Sequence, residues 1–516
     1  MDGPLEPDQV ASSPASSQAG PTLEIDQAAT TEVESYLLDD VPLFHLPMVG
    51  ATIITIAFRV GRADEPVPRG GMTHLAEHLI LTSVSDALDH SNGTTEAFRV
   101  TFTLRGTPAD ASRFLRDVCR AIGSPPLRRI HEEANVLRTE GAGRGTMGMG
   151  MRLTWYRTGY QGLGTLSLPE LFLRNLDESV LRRWVAEHLV AGNAAIWIAG
   201  DLPDDLTVDL PPGPRKPMPE VRWIPGFETP TFVVEEAPGV GASFFVGRST
   251  ATTTALRTLD RHLKRALRVD RGLAYDVGGD YVPVGPDHAI ATVWATCLPN
   301  AVRDVERVLL ETIDDVAARG PTDDELAEQY ERLALEVSDP MAIPGRLDAH
   351  VRDVLLGGDP TPMAQLVDEQ WRIRSDEVAE AFRQARESML LLLTPTGTRP
   401  QRAFKRYPGT TLGPMGRGRT FELLSTKRKV PWAKTPKAKL TVGDEGVSVD
   451  VSTKSRLVGV LWKDCVAVIQ GRDVRNIVAR DGTIATIVGG EWKDGGYALK
   501  DIDRLAPRDT IVPPDH

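Results

Sequence analysis

The stretch Gly70-Gly71-Met72-Thr73-His74-Leu75-Ala76-Glu77-His78-Leu79 sets two histidines and a glutamate at positions i, i+3 and i+4. On a helix these positions share one face, so both imidazoles can reach a single cation while the carboxylate stays beside it. Two neutral imidazoles plus one carboxylate suit Zn2+, with a fourth position left open for water. His74 and His78 are therefore the expected metal ligands. Glu77 is the expected general base, taking the proton of a zinc-bound water whose pKa the metal lowers. A third protein ligand must come from elsewhere in the chain. The run from His131 to Glu140 offers Glu133 and Glu140, two helical turns apart and hence on one face.

The elements that must hold these residues follow from pattern. Two glycines and Thr73 are start signals for the metal helix. Ahead of it, Ala51 to Val60 reads as a strand, and after it Arg99 to Arg105 alternates polar and apolar side chains as a half-buried strand does. Helices are predicted over 108–122, 128–140 and 177–190, with a Gly-rich loop at 141–150 and the apolar strand Ala194 to Ala199. Pro211, Pro212, Pro214, Pro217 and Pro219 then mark a linker. Beyond it the order recurs: strands at 231–235 and 243–247, a helix at 252–268, strands at 278–283 and 289–297, helices to 389 and the strand Leu390 to Leu393. Order and length suggest a duplicated α+β domain.

Residues 399–439 carry twelve Lys or Arg against one acid, Glu422, and read as a solvated linker or a docking strip for an acidic surface. Short strands parted by turns such as Asp481-Gly482 then suggest a small β module. The expected division is a disordered arm (1–32), a metal-binding domain (33–212), a linker (213–226), a second domain (227–395), a basic linker (396–439) and the β module (440–510).

Bulk properties exclude several classes. A net charge of −12 argues against a nucleic-acid binder. No apolar run reaches the 18 or more residues of a membrane span, and the N-terminal residues lack the basic and apolar regions of a secretory signal. Cys119, Cys297 and Cys465 are far apart and form no C-x-x-C pair, as expected of reduced thiols in a cytoplasmic protein.

The run Val60-Gly61-Arg62-Ala63-Asp64-Glu65, then Gly70-Gly71, then the inverted H-x-x-E-H motif resembles the pitrilysin/insulinase family of zinc metallopeptidases, which includes the mitochondrial processing peptidases. The resemblance spans about residues 36–395. It implies an α+β fold of two homologous α/β-sandwich domains of the pitrilysin/processing-peptidase type, here followed by a small C-terminal mostly-β domain. It makes Glu140 the third zinc ligand and Glu133 its supporting carboxylate. Ser91-Asn92-Gly93-Thr94-Thr95 resembles the family's substrate-pairing edge strand, so Asn92, Gly93 and Thr94 would contact an extended peptide. Arg268 and Tyr275, in Leu267 to Tyr275, resemble the family's Arg/Tyr pair, which would hold the substrate backbone and stabilise an oxyanion.

The family cleaves peptides in a closed chamber of four homologous domains. A two-domain chain thus implies a homodimer, with a heterodimer with a related subunit as the alternative. A catalytically weak binding or assembly subunit on the same scaffold is the rival function. Two departures bear on substrate choice. The segment between His78 and Glu140 is shorter than in the relatives. The Gly141 to Gly150 run, which lacks the Gly-Lys-Ser/Thr of a phosphate loop, is expected to be a mobile loop beside the metal. The C-terminal module resembles a bacterial pleckstrin-homology-like barrel through Gly446-Val447 and Trp462-Lys463-Asp464.

Overall fold

A computed structural model describes residues 32–84, 90–143, 147–395, 404–407, 417–424, 438–451 and 456–514. All but the last residue of the expected arm lies outside the described residues. The first lobe runs β1 (Glu34–Leu38), β2 (Val41–Leu46), β3 (Thr52–Phe58), α1 (Met72–Leu81), β4 (Ser91–Thr95), β5 (Val100–Gly106), α2 (Pro108–Gly123), α3 (Ile130–Gly143), α4 (Met149–Thr158), α5 (Glu178–His188) and β6 (Ala194–Ala199). Its sheet has the order β1-β2-β6-β3-β5-β4, with β4 at one edge.

The second lobe runs β7 (Thr231–Val234), β8 (Gly239–Gly247), α6 (Thr250–Leu263), β9 (Ala274–Pro283), β10 (His288–Cys297), α7 (Val302–Arg319), α8 (Asp323–Ser338), α9 (Ile343–Leu355), α10 (Met363–Arg372), α11 (Ser375–Glu387), β11 (Leu390–Leu393) and β12 (Lys405–Arg406). Its sheet order, β12-β7-β11-β8-β10-β9, repeats the first with β9 in the place of β4. The parallel pairs β2–β6 and β7–β11 also correspond. The duplication expected from element order is thus visible in topology, and α6 occupies the place of α1.

Each lobe lends a helix to the other. Met149 and Leu153 of α4 pack with Val233, Leu390 and Leu392 on the second sheet. Leu347, Val351 and Leu355 of α9 pack with Phe44, Ala195 and Trp197 on the first. Sheets covered on both faces have strands with no polar side, and this is why Ala194 to Ala199 and Leu390 to Leu393 are unbroken apolar runs. Arg157 of α4 is buried in the join, donating to Ser243 Oγ at 2.7 Å and to the Ser243 carbonyl at 2.6 Å. The Pro-rich connector is pinned rather than free: the Gly192 amide donates to the Gly213 carbonyl, and the Lys216 amide to Asn193 Oδ1.

A third unit holds β13 (Arg419–Glu422), β14 (Ala438–Gly443), β15 (Gly446–Val451), β16 (Arg456–Leu461), β17 (Cys465–Gln470), β18 (Val474–Ala479), β19 (Ile484–Val488), α12 (Gly495–Leu505) and β20 (Ile511–Val512). Two four-stranded sheets, β13-β14-β15-β16 and β19-β18-β17-β20, close on a core that includes Leu440, Val460, Ile477, Ile487, Leu499 and Ile502.

Four features depart from the sequence reading. The stretch read as a basic linker contributes β12 to the second sheet and β13 to the C-terminal unit. That unit also has a helix, α12, whose start is hidden by Gly495-Gly496. β1 and β2 add two strands ahead of the first predicted one. The Gly-rich run is not a loop throughout: α3 continues through Gly141 and Gly143, and α4 begins at Met149. Glycine costs a helix only about 1 kcal/mol per residue, and Ala134 and Leu137 anchor α3 in the core. The segment 144–146 lies outside the described residues.

Candidate metal centre

Helix α1 is held at its start by a carboxylate. Gly71, with φ of 101°, is its N-cap. The Glu65 side chain accepts from the Gly71 and Thr73 amides, each at 2.6 Å. These are two of the donors that a helix start leaves without partners. Thr73 is therefore not the cap; its hydroxyl instead accepts from Trp184 Nε1 at 3.1 Å, which ties α1 to α5. Burial pushes Glu65 up to about 7, against the two backbone donors and Arg62. Met72, Leu75, Leu79 and Ile80 sink the opposite face of α1 into the first lobe's core.

His74, His78 and Glu140 come together as the spacing and the resemblance require, with one ligand atom of each within 4.8 Å of the others. His74 Nε2 lies 3.8 Å and His78 Nε2 3.9 Å from the same oxygen, Glu140 Oε2. A tetrahedral zinc with bonds of about 2.1 Å separates its ligands by about 3.4 Å, so small side-chain adjustments would close the set. The other ring nitrogens face carboxylates. His74 Nδ1 is 3.0 Å from Glu170 Oε1, and His78 Nδ1 is 3.5 Å from Glu133 Oε2. Glu133 is itself gripped by Arg129 at 2.9 Å. Both histidines thus have a carboxylate behind and the candidate cation position in front, the arrangement that fixes the tautomer of a metal-binding imidazole. The donor set fits zinc. His74 is buried whereas Glu140 is exposed, so the position opens to solvent on one side.

Glu77 lies next to this position, with Oε2 4.0 Å from His74 Nε2. It is buried, and Thr95 Oγ1 donates to it at 2.9 Å. Burial raises its pKa, opposed by the charges of His74 and His78 and by the Thr95 hydroxyl. For His74, burial pulls the pKa down, but Glu170, Glu77 and Glu140 outweigh it and the net direction is up.

β4 runs over this carboxylate. A Cβ on Gly93 would stand 2.3 Å from Glu77 Oε1, so a side chain there would have to push the carboxylate aside. Asn92 and Thr94 alternate with it and are exposed. β4 pairs with β5 on one side, and its other side is the sheet edge. The three residues picked from the resemblance therefore lie on an open edge strand beside Glu77. Just past Thr95, a cavity of about 350 Å³ opens between the lobes. Phe98, Leu163, Val282 and Leu356 line it, with Asp280 at its wall.

Arg268 and Tyr275 lie elsewhere. Arg268 is exposed in the helical turn Lys264–Val269 after α6, and Tyr275 stands 90% exposed on β9, the edge strand of the second sheet.

Sequence reasoning missed Glu170, Thr95, Arg62 and the capping role of Glu65. Glu65 and Arg62 sit in the run that carried the family resemblance. Glu170 lies thirty residues beyond Glu140 on no periodic element, and nothing in the sequence flagged it.

The profile of the peptidase M16 inactive domain matches residues 246–333. No curated protein matches the sequence. Among solved structures, a protease from Helicobacter pylori superposes with a TM-score of 0.59 at 14% identity, over 70% of this chain and 99% of that one. A peptidase M16 inactive domain from Pseudomonas fluorescens gives 0.58 at 15% identity, over 70% and 98%. The periplasmic protease PqqL of Escherichia coli gives 0.56 at 11%, over 86% of this chain but 56% of PqqL. No helix among the described residues is long and apolar enough to cross a membrane. The chain thus has the fold of the M16 peptidases, and residues 246–333 of its second lobe match the model of the M16 inactive domain.

Proposed function

We propose that the chain is a zinc-dependent endopeptidase that cleaves peptides or unfolded protein fragments. The observation that carries this reading is the pair of imidazoles presenting Nε2 to one Glu140 oxygen, each backed by a carboxylate, with Glu77 beside them. Zinc, when bound there, polarises a substrate carbonyl and makes water a nucleophile at neutral pH. His74, His78 and Glu140 would hold it, with Glu133 orienting His78. Glu77 takes the proton of the attacking water and passes it to the leaving amine. The edge of β4 takes the peptide as an added strand through Asn92, Gly93 and Thr94. The interlobe cavity past Thr95 receives a substrate side chain.

Arg268 and Tyr275 serve a second copy's site in this reading. A homodimer sets each first lobe against the partner's second lobe, so that the exposed pair on β9 reaches a substrate lying on the other chain's β4. The fold with both residue sets in one chain favours this over a heterodimer.

A second reading has an observation of its own. The matched profile is that of an inactive domain, and α6, which stands where α1 does, has no H-x-x-E-H. A peptidase scaffold that binds peptides without cutting them would show the same match. Metal analysis of the purified chain with a quenched peptide library decides between them. One zinc per chain with cleavage supports the peptidase; zinc-free protein, or zinc-loaded protein that cleaves nothing, refutes it.

A further inference from the structure

We infer that Glu170 is a positioning residue for the metal site and that docking of the C-terminal unit holds it in place. The inference rests on the zinc reading above.

Strand faces alternate, so a strand with one covered face shows one apolar row. β17 and β18 show two. Val468, Ile477 and Ala479 point into the C-terminal unit's own core. Ala467 and Val478, both fully buried, point the other way, into a cluster with Val67, Tyr160 and Leu171 of the first lobe, flanked by Trp155 and Leu168. The Tyr160 amide donates to the Arg480 carbonyl at 3.0 Å across the same join. The unit is therefore docked on two segments of the metal lobe: the turn Val67–Arg69, and the stretch from Tyr160 to Leu171.

Those segments lead straight to the metal site. The turn feeds Gly70-Gly71 and the start of α1. Leu171 is adjacent to Glu170, whose Oε1 lies 3.0 Å from His74 Nδ1. The two segments are also tied to each other. The Phe172 amide donates to the Gly70 carbonyl at 3.0 Å, and Arg62 donates to Glu170 Oε1 and to the Leu168 carbonyl, each at 3.2 Å. With Nδ1 engaged, the ring presents Nε2 to Glu140. A line of contacts thus runs from Val478 through Leu171 to Glu170 and His74. Undocking the unit leaves the ligands in the chain but frees the carboxylate that orients one of them.

The test uses full-length variants, with zinc affinity read by competition with a chelator. Glu170→Ala should weaken zinc about 10–100-fold, the usual cost of losing a carboxylate behind a metal-binding histidine. Glu170→Gln, whose amide oxygen still accepts from Nδ1–H, should recover part of that loss. Val478→Asp should weaken zinc about tenfold and speed hydrogen exchange at the Tyr160 amide. Val478→Thr, closer in volume, should do less of both and carries the comparison if Val478→Asp misfolds. Phe382→Leu, in the second lobe's core, should lower the melting temperature and leave zinc affinity alone. Unchanged zinc affinity in Glu170→Ala overturns the positioning role. Fast exchange at Tyr160 with unchanged affinity overturns the role of docking. Equal weakening by Phe382→Leu reduces both to general destabilisation. A wild-type chain that binds no zinc overturns the peptidase reading instead.

Discussion

Gly93→Ala is a one-methyl probe of the distance between the edge strand and the proposed base. The added Cβ would meet Glu77 Oε1 at 2.3 Å and its Cγ and Cδ at 2.7 Å. A normal carbon–oxygen contact is about 3.2 Å or more, so one partner must yield by about 1 Å. β4 is tied to β5 along its length, whereas Glu77 is a side chain, so the carboxylate moves. A displacement of about 1 Å at a reacting group costs on the order of a hundredfold in rate. Overpacking a buried site costs about 1–3 kcal/mol of stability. The atoms nearest the added Cβ all belong to Glu77 and the substitution leaves His74, His78 and Glu140 in place, so zinc content should stay at the wild-type level. Expected is a kcat lowered about a hundredfold in a folded, zinc-loaded protein, measured on a quenched peptide beside metal analysis and a melting curve. Wild-type kcat in Gly93→Ala would refute the argument that Glu77 is the base at this spacing.

Glu140→Ala should release zinc at modest chelator concentrations, while Glu133→Ala weakens binding about 10–100-fold; an empty Glu133→Ala beside a loaded Glu140→Ala would reverse the two roles. Glu77→Gln and Tyr275→Phe homodimers should each be nearly inactive, and mixing them with chain exchange should restore roughly a quarter of wild-type activity, because half the dimers gain one intact site. No recovery despite mass-verified exchange would remove the shared-site dimer. Burial raises Glu65 from 4.5 to about 7, so the folded state binds its proton more tightly than the unfolded state. That contribution to stability is complete below about 4.5 and is lost as pH rises through about 7. Denaturant midpoints should fall across this window in wild type and fall less in Glu65→Gln; parallel profiles would show that Glu65 does not titrate there.

The grouping of His74, His78 and Glu140 was legible in sequence because i, i+4 spacing on a helix is local geometry and Glu140 came with the family resemblance. The α+β duplication was legible because β3, α1 and β5 have counterparts in the same order in β8, α6 and β10. What escaped has a physical reason each time. α4 has no clear amphipathic stripe, since Leu153 faces the second sheet and Trp155 faces the C-terminal unit. Glu170 acts across ninety-six residues of chain, and no local pattern announces a contact of that kind. The C-terminal unit reads in sequence as a separate β module, because turns part its short strands. Its second apolar row, Ala467 and Val478, packs against Val67, Tyr160 and Leu171 of the first lobe and is the trace in sequence of that docking.

In the proposed mechanism Glu77 acts as base beside a zinc held by His74, His78 and Glu140. Glu77→Gln keeps the size of the side chain and removes its basicity without touching a ligand. The expected result is a folded protein with one zinc per chain and a cleavage rate at least about a hundredfold below wild type. Zinc-loaded Glu77→Gln that turns over a quenched peptide at the wild-type rate would contradict it.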